Sequence, residues 1–404
     1  MTSSFPLFAA VPMAARDPIL GLNEAYQADT NPKKVNLSIG VYCNAAGKIP
    51  VLSCVQKAMQ ALLGQSSPRS YQPMEGAAAY NQAVQKLLLG ADHPIIKDGR
   101  AVTAQSLGGT GALKVGSDLL ASICPNAKAW VSNPTWDNHR AILEGAGFTV
   151  EAYTYYDATT GGFNLAGMLR DLDRAQAGDV VILHACCHNP TGVDPTAEEW
   201  GKILDKVEQR KLMPFLDIAY QGFGDGLLED SEIIRRFAAR NMPVFIASSF
   251  SKSFSLYGER VGALTVLTAN PDETKRLLSQ IKRVIRSNYS NPPIFGASLV
   301  SAVLNQPDLR ALWEEELAGM RDRVREMRLL LRERVSAKAP GKNFDYIVKQ
   351  RGMFSYSGLT AQQAQKLRET YSIYIVESGR ICVAGLNADN VDYVADAMAA
   401  VMKG

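Results

Sequence analysis

Residues 243–254 read Pro-Val-Phe-Ile-Ala-Ser-Ser-Phe-Ser-Lys-Ser-Phe, an apolar run that ends in hydroxylated residues and a lysine. A short apolar run with this ending is typical of a buried strand. Lys252 follows the run, and because lysine is rarely fully buried without a partner, a surface position is one interpretation. The neighbouring serines and Arg260 favour another, in which an amine lies beside an anion-binding site.

The segments on either side of this run predict the fold class. Short apolar stretches alternate with longer amphipathic ones, so we predict strands at 129–132, 180–185, 213–217, 243–248 and 262–267, and helices at 112–123, 196–211 and 230–240. Alternation at this spacing indicates an α/β protein, whose large domain has a mostly parallel sheet flanked by helices.

The C-terminal part has a different pattern. A long charged helix is expected at 307–337, followed by strand-like segments at 344–349, 353–357 and 381–384, and the strand-like segment 35–41 is expected to pack with them. This pattern predicts a second, smaller α+β domain. The resulting division is an N-terminal arm (1–16) that lies on a partner subunit, a large domain (50–319) and a discontinuous small domain (17–49 and 320–404).

Composition narrows the class of function. The chain has 404 residues, of which 47% are hydrophobic and 21% charged, as in ordinary globular proteins. The net charge of +3 is spread along the sequence, which argues against a nucleic-acid partner. The six cysteines form no Cys-x-x-Cys pair, and the N-terminus has neither a signal-peptide nor a membrane-span pattern. We therefore expect a cytoplasmic protein without membrane contact.

Polar and aromatic side chains follow each predicted strand. Ligands of open α/β sheets bind at the carboxyl ends of the strands. Each of these residues alone is most often a core residue, a turn residue or a helix cap. Together they predict one crevice, lined by Trp136, His139, Asn189, Asp217, Tyr220, Ser249 and Lys252.

Other motifs give weaker indications. The glycines at 108–111 precede a helix and favour a phosphate site, although the match to the dinucleotide fingerprint is poor. His184, Cys186 and His188 are too spread along a straight strand to share one ion, so no metal is expected. Arg286 and Arg380 could each bind a carboxylate, although a surface ion pair is the commoner role for either alone.

Five motifs carry a resemblance to a known family. They lie at 132–139, 186–192, 217–223, 249–252 and 288–293. Over nearly the whole chain, from about 17 to 402, the sequence resembles the class I, fold-type I aminotransferases that use pyridoxal 5'-phosphate. The segments 71–76, 215–220 and 352–356 are most similar to bacterial aromatic-amino-acid (tyrosine) aminotransferases. Aspartate aminotransferases share the same catalytic set.

The resemblance implies a role for each matching residue. Lys252 would hold the cofactor as a Schiff base and move the proton. Asp217, supported by His139, would pair with the ring nitrogen. Trp136 would stack on the ring, and Tyr220 with Asn189 would hydrogen-bond the phenolic oxygen. The phosphate would be held by Gly109, Thr110, Ser249, Ser251, Arg260 and, from the other subunit, Tyr71.

The resemblance also implies how substrate is bound. The substrate-binding set would be Gly40, Trp136, Asn189, Arg286 and Arg380. Arg380 would clamp the alpha-carboxylate next to Gly40, and Arg286 of the partner subunit would meet a side-chain carboxylate. Sites shared in this way imply a homodimer.

The expected reaction is transfer of the amino group of tyrosine, phenylalanine and aspartate to 2-oxoglutarate by a ping-pong mechanism. The alternative is an aspartate aminotransferase with little aromatic activity. Arg286 cannot stay buried and unpaired beside an aromatic ring, so we expect it to turn toward solvent for aromatic substrates. Three residues expected at the rim of the substrate pocket bear on this choice. Ile49 is apolar, which favours an aromatic side chain, whereas Asn291 resembles the aspartate type and Cys43 fits neither type. Decarboxylases, lyases and cofactor-binding regulators of the same fold remain further alternatives.

Overall fold

A computed structural model of the chain describes residues 8–14, 17, 19–64 and 70–403. Its strands are β1 (Val35–Asn36), β2 (Ala101–Leu107), β3 (Ala129–Asn133), β4 (Val150–Thr154), β5 (Tyr156–Asp157), β6 (Gly162–Phe163), β7 (Val180–His184), β8 (Met213–Ile218), β9 (Val244–Ser249), β10 (Val261–Leu267), β11 (Phe354–Tyr356), β12 (Ile373–Tyr374) and β13 (Arg380–Cys382).

The same residues form sixteen α-helices. They are α1 (Leu20–Ala28), α2 (Ser53–Leu63), α3 (Ala78–Leu89), α4 (Pro94–Lys97), α5 (Gly108–Ile123), α6 (Asp137–Glu144), α7 (Leu165–Leu172), α8 (Ala197–Gln209), α9 (Leu227–Asp230), α10 (Glu232–Ala239), α11 (Pro271–Asn288), α12 (Phe295–Asn305), α13 (Pro307–Lys338), α14 (Tyr346–Lys349), α15 (Ala361–Tyr371) and α16 (Val391–Lys403).

The central sheet has seven strands in the order β2-β10-β9-β8-β7-β3-β4. Only β10 runs antiparallel to its two neighbours, so the predicted mostly parallel α/β sheet is confirmed. The five predicted strands are β3, β7, β8, β9 and β10. The two edge strands, β2 and β4, were not predicted, because polar residues such as Thr103, Gln105 and Glu151 interrupt their apolar pattern.

Alternate residues of the inner strands enter two separate hydrophobic cores. Phe245 and Ala247 of β9 belong to one core, together with residues of α5, α6 and α11. Val244 and Ile246 belong to the other, with residues of α3, α8, α12 and α13. Because successive side chains of a strand point to opposite faces, this division places helices on both faces of the sheet. The carboxyl ends of the parallel strands lie between these two helix layers and are not covered by them.

Helix α5 packs on the sheet so closely that one position has no room for a side chain. A Cβ atom on Gly116 would lie 2.4 Å from Cζ of Phe215. We expect Gly116→Ala to lower the free energy of unfolding by about 1–3 kcal/mol, because overpacking shifts the core. Gly319 of α13 is the matched control, since its Cβ would meet nothing within 4 Å. Gly319→Ala should instead raise stability by about 0.5–1 kcal/mol. Urea unfolding of both variants measures the difference, and equal effects would contradict this account of the packing.

The structure corrects three of the other predicted elements. The segment 344–349, predicted as a strand, contains the helical turn α14, since its buried residues Phe344 and Ile347 are three apart. The predicted helix 230–240 is broken between α9 and α10. The predicted strand 35–41 is limited to β1, which pairs in parallel with β12. The helix predicted at 307–337 is confirmed as α13.

The long helix α13 connects distant parts of the fold. Near its start, the buried Trp313 donates a hydrogen bond from Nε1 to the carbonyl of Ser253 at 2.8 Å. Toward its other end it packs against α14 and α16. The predicted boundaries between large and small domains stay a prediction. So does the arm: its residues 8–14 are exposed, and 1–7, 15 and 16 lie outside the described residues.

In the part of the chain described here, none of the helices combines the length and apolar character that a membrane crossing requires.

Candidate active site

A cavity of about 350 Å³ opens at the carboxyl ends of the parallel strands. Its lining includes every residue of the predicted site except His139, Tyr71 and Arg286. The predicted residues that line it are Gly40, Gly109, Thr110, Trp136, Asn189, Asp217, Tyr220, Ser249, Ser251, Lys252, Arg260 and Arg380. The ends of β3, β7, β8 and β9 with the loops that follow them, together with the start of α5, bring most of these residues to one place, and Gly40 and Arg380 come from the segment after β1 and the start of β13.

A second cavity, of about 780 Å³, lies next to the first and shares Ile39 with it. Two lysines line it: Lys33 is exposed to solvent, and Nζ of Lys34 donates hydrogen bonds to the carbonyls of Tyr26 and Asp29. The smaller cavity is the better candidate for the active site, since it combines the amine of Lys252, the buried carboxylate of Asp217 and two arginines.

Asp217 lies in the cavity at the end of β8 and is held by two residues behind it. Its Oδ2 atom is 2.9 Å from Nε2 of His139, and Nδ1 of His139 is 2.8 Å from Oγ1 of Thr135. Burial alone would raise the pKa of Asp217, but the hydrogen bond from His139 and nearby positive groups outweigh burial and lower it. The carboxylate is therefore ionised and fixed in orientation. His139, which does not line the cavity, acts through this contact.

Lys252 lies in the turn that follows β9, with its Nζ atom 5.1 Å from the centre of the Tyr220 ring. Removal from water lowers the pKa of this lysine to about 8, against an opposing effect of Asp217. The positive charges of Arg260 and Arg380 contribute to this lowering of the pKa. The neutral fraction of the amine near physiological pH is therefore much larger than for an ordinary lysine, although the protonated form still predominates, and the neutral form is the one that a nucleophile or proton acceptor requires.

The start of α5 and the turn after β9 together form a cup. Ser249 and Ser251 lie buried opposite the first turn of the helix, and Nη1 of Arg260 is 3.5 Å from Oγ of Ser251. A Cβ atom on Gly108, which has φ +70°, would lie 2.6 Å from Nη2 of Arg260, so glycine is required for this approach. Amides at a helix start, hydroxyls and a guanidinium are suited to a phosphate group.

At the other end of the cavity lies Arg380, the first residue of β13. It is 3% exposed. Its Nη1 atom donates to Oδ1 of Asn189 at 3.1 Å, and its Nη2 atom donates to the carbonyl of Ser38 at 2.5 Å. Its guanidinium carbon lies 4.4 Å from the centre of the Phe354 ring. Burial lowers the pKa of Arg380. Among the described residues, its Nε atom has no hydrogen-bond partner, which leaves a donor for a ligand carboxylate.

The charges of the cavity are unbalanced. Lys252, Arg260 and Arg380 line it, and Asp217 is the one carboxylate among its lining residues. Within the described part of the chain none of the three cations forms a salt bridge. Unpaired cations in a closed space favour anionic ligands. The cup, the amine and the ionised Asp217 fit pyridoxal 5'-phosphate, with its phosphate, aldehyde and basic ring nitrogen.

The histidines at the end of β7 and just beyond it are arranged differently from the expectation based on a straight strand. The chain leaves the strand after His184, so the rings of His184 and His188 are 4.3 Å apart rather than spread along a strand. His188 is held by hydroxyls, with Nε2 2.9 Å from Oγ of Ser132 and Nδ1 2.8 Å from Oγ1 of Thr191. Burial lowers the pKa of both histidines well below its usual range, so both rings are neutral.

Besides His139, two further predicted residues, Tyr71 and Arg286, lie outside this cavity. The side chain of Tyr71 is 89% exposed, and Arg286 is exposed at the end of α11. Sequence reasoning also missed part of the lining, which is mainly apolar: Ile19, Leu20, Ile39, Leu113, Ala219 and Phe354. These residues have no polar group that would single them out. Ala219 and Phe354 gave a signal, since they lie in the segments 217–223 and 352–356 that carry the resemblance.

Comparisons with known proteins agree with this geometry. The family model for aminotransferases of class I and II matches residues 32–398. An aspartate aminotransferase of Pseudomonas aeruginosa is 55% identical over 98% of this chain and 100% of that protein. An aromatic-amino-acid aminotransferase of Escherichia coli is 49% identical over 98% and 100%. The crystal structure of the aromatic-amino-acid aminotransferase from Burkholderia pseudomallei, covalently bound to pyridoxal phosphate, is 58% identical, with a TM-score of 0.96 over 98% of this chain and 99% of that one.

Proposed function

Because this chain belongs to the aminotransferases of class I and II, we propose that it transfers the amino group of tyrosine, phenylalanine and aspartate to 2-oxoglutarate. The chain is an aminotransferase that uses pyridoxal 5'-phosphate. The observation that carries the proposal is the single cavity in which Lys252, Arg260 and Arg380 surround the ionised Asp217. When bound, the cofactor supplies an aldehyde that reacts with amines and a ring that withdraws electrons from the substrate's alpha carbon.

The anionic cup would hold the phosphate of the cofactor. It consists of Gly109, Thr110, Ser249, Ser251 and Arg260. Trp136 and Asn189, which line the same cavity, would contact the ring and its phenolic oxygen. Asp217 would pair with the ring nitrogen. Because His139 and Thr135 fix the carboxylate, it needs no reorientation when the charge distribution changes.

Lys252 would carry out the proton transfer at the substrate's alpha carbon. Its pKa of about 8 makes the neutral amine far more abundant near neutral pH than in an ordinary lysine. Tyr220 lies beside the amine and keeps its hydroxyl proton, because burial raises its pKa. We infer that this hydroxyl orients the reacting groups by donating a hydrogen bond. Arg380 and Asn189 would bind the alpha-carboxylate next to Gly40.

The substrate side chain would lie against the apolar part of the lining. Ile19, Leu20, Ile39 and Phe354 form this wall, which supports an aromatic ring as one class of side chain. A side-chain carboxylate would need Arg286, which is exposed and outside the cavity of its own chain. We therefore propose a cytoplasmic homodimer in which Arg286 and Tyr71 of the partner subunit complete each site. The division into a large and a small domain belongs to the same proposal.

The expected result is comparable kcat/KM for tyrosine or phenylalanine and for aspartate, with 2-oxoglutarate as acceptor, in a ping-pong pattern. The measurement is the ratio of these kcat/KM values under steady-state conditions. A difference of one methylene group in a hydrophobic pocket changes kcat/KM between two substrates by about 10–200-fold. A ratio of aromatic to aspartate efficiency far below one would favour an aspartate aminotransferase instead.

Replacing Arg286 with leucine separates the two substrate classes within the same experiment. The variant should lose activity with aspartate, because a fork that binds a carboxylate is removed. Activity of the first half-reaction with tyrosine should persist, since the ring requires no such partner. Equal losses for both donors would contradict the proposed role of Arg286.

A further inference from the structure

Arg328 is a buried arginine that the mechanism does not yet use. It lies in the middle of α13 and is 3% exposed. In the described part of the chain its hydrogen bonds all go to backbone carbonyls, and none goes to a carboxylate. Nη1 donates to Ile347 at 2.9 Å, and Nη2 donates to Gly352 at 2.8 Å and to Phe354. Burial lowers the pKa of Arg328 to about 10, so it is still charged at neutral pH.

These three carbonyls belong to one short segment, residues 347–354, which ends where β11 begins. Strand β11 pairs with β13 in antiparallel register, with Tyr356 opposite Arg380. The carbonyl of Met353 also accepts a hydrogen bond from Val383 at 2.8 Å. The guanidinium of Arg328 therefore fixes the backbone of the strand that lies directly beside Arg380.

The side chain of Phe354 gives a second connection to the site. Its ring lies against the guanidinium of Arg380 and meets the ring of Tyr220 edge to face, with 5.6 Å between centres. A Cβ atom on Gly40 would lie 2.7 Å from Cζ of Phe354. A shift of this ring would thus change the position of Arg380 or the space next to Gly40.

The loop that carries Asn189 rests on the same segment. The carbonyl of Gly192 accepts a hydrogen bond from the amide of Arg351 at 2.6 Å. A Cβ atom on Gly192 would lie 2.5 Å from the carbonyl oxygen of Phe354, and one on Gly352 would lie 2.5 Å from Cβ of Cys187. The two residues that contact each other above the cavity, Asn189 and Arg380, are therefore both supported by segment 347–354.

We propose that Arg328 is a positioning residue for substrate binding: by clamping segment 347–354, it sets the distance and angle between Arg380 and Asn189. This inference rests on the proposed function, in which Arg380 binds the substrate's carboxylate. A planar fork of donors can reach three carbonyls at once, whereas the single ammonium of lysine cannot hold the same geometry. Buried carbonyls that lose their donor are left unsatisfied, which favours a rearrangement of the segment.

The test compares Arg328→Lys and Arg328→Met with Val335→Ala. Val335 is buried two turns further along α13, so its variant is destabilised without loss of the clamp. We expect both Arg328 variants to raise KM for tyrosine and aspartate by roughly 10–100-fold, since a misplacement of about 1 Å can reduce efficiency by about 10²-fold. Their kcat and their cofactor absorbance should change far less. Val335→Ala should lower Tm and leave KM unchanged.

Binding of 3-phenylpropionate provides a readout that does not depend on turnover. Calorimetry on the holoenzyme should show a weaker Kd for the Arg328 variants and an unchanged Kd for Val335→Ala. The lysine variant keeps the charge, so it remains informative if the methionine variant does not fold. Unchanged KM and Kd in Arg328→Lys, with only Tm reduced, would overturn the proposal. An inactive wild-type protein would instead contradict the proposed function, so the two failures are distinguishable.

Discussion

Replacing Lys252 with alanine is expected to abolish turnover in a protein that still folds and still binds pyridoxal phosphate. The amine is the one lysine that lines the cavity, and its lowered pKa of about 8 makes it the available base. A positioned base contributes about 10²–10⁴-fold, and loss of the covalent link to the cofactor adds to that effect, so we expect at least about a 10⁴-fold decrease in kcat. Cofactor binding should persist, since Ser249, Ser251 and Arg260 do not depend on the amine.

The measurement combines turnover with borohydride reduction. In the wild-type protein, reduction should fix the cofactor to Lys252, as peptide mass analysis would show. In Lys252→Ala the cofactor should remain removable. Lys114→Ala is the matched control, because Lys114 forms a salt bridge with Asp118 on α5 and does not line the cavity. Wild-type turnover in the Lys252 variant would end the assignment.

Replacing Asp217 with asparagine should give the second largest effect. The substitution keeps the shape of the side chain and removes the negative charge that His139 orients. An amide cannot stabilise a protonated ring nitrogen, so the electron-withdrawing power of the bound cofactor should fall. Removal of one preorganised electrostatic group typically costs about 10²–10³-fold in kcat, and we expect a decrease of at least that size.

Asp179→Asn separates this effect from general loss of stability. Asp179 is also buried, but it lies before β7 at the opposite edge of the sheet, where it accepts hydrogen bonds from Nε1 of Trp130 and the amide of Lys128. Its variant should unfold at a lower temperature and keep its kcat. If both variants lost stability and activity in parallel, Asp217 would have a structural role only.

Much of the site could be predicted because its residues follow strands whose apolar runs are easily recognised. Asn189, Asp217 and Lys252 each lie within a few residues of such a run, and parallel strands bring their carboxyl ends to one edge. The start of α5 was also expected, although the helix begins at Gly108 itself rather than after the glycines.

Other features could not be predicted because they depend on contacts between distant segments. Leu20 and Ile39 are ordinary apolar residues in the sequence, and their exposure to the cavity follows only from the way α1 and β1 pack. Arg328 belongs to a helix with many charged residues, so its burial is not visible in the pattern. The segment 344–349 was assigned to the wrong type of element, since six residues are too few to distinguish a strand from a helical turn.

The helix α13 contacts the segments at both ends of the cavity, so the distance between those ends depends on the number of residues between its two contacts. Trp313 contacts the backbone beside Lys252, and Arg328 lies fifteen residues later (328 − 313), which corresponds to about 22 Å along the axis. Inserting or deleting one residue between them would turn one contact by about 100° relative to the other. We therefore expect substitutions between Trp313 and Arg328 to be tolerated far better than insertions or deletions, because only the latter change the relative direction of the two side chains.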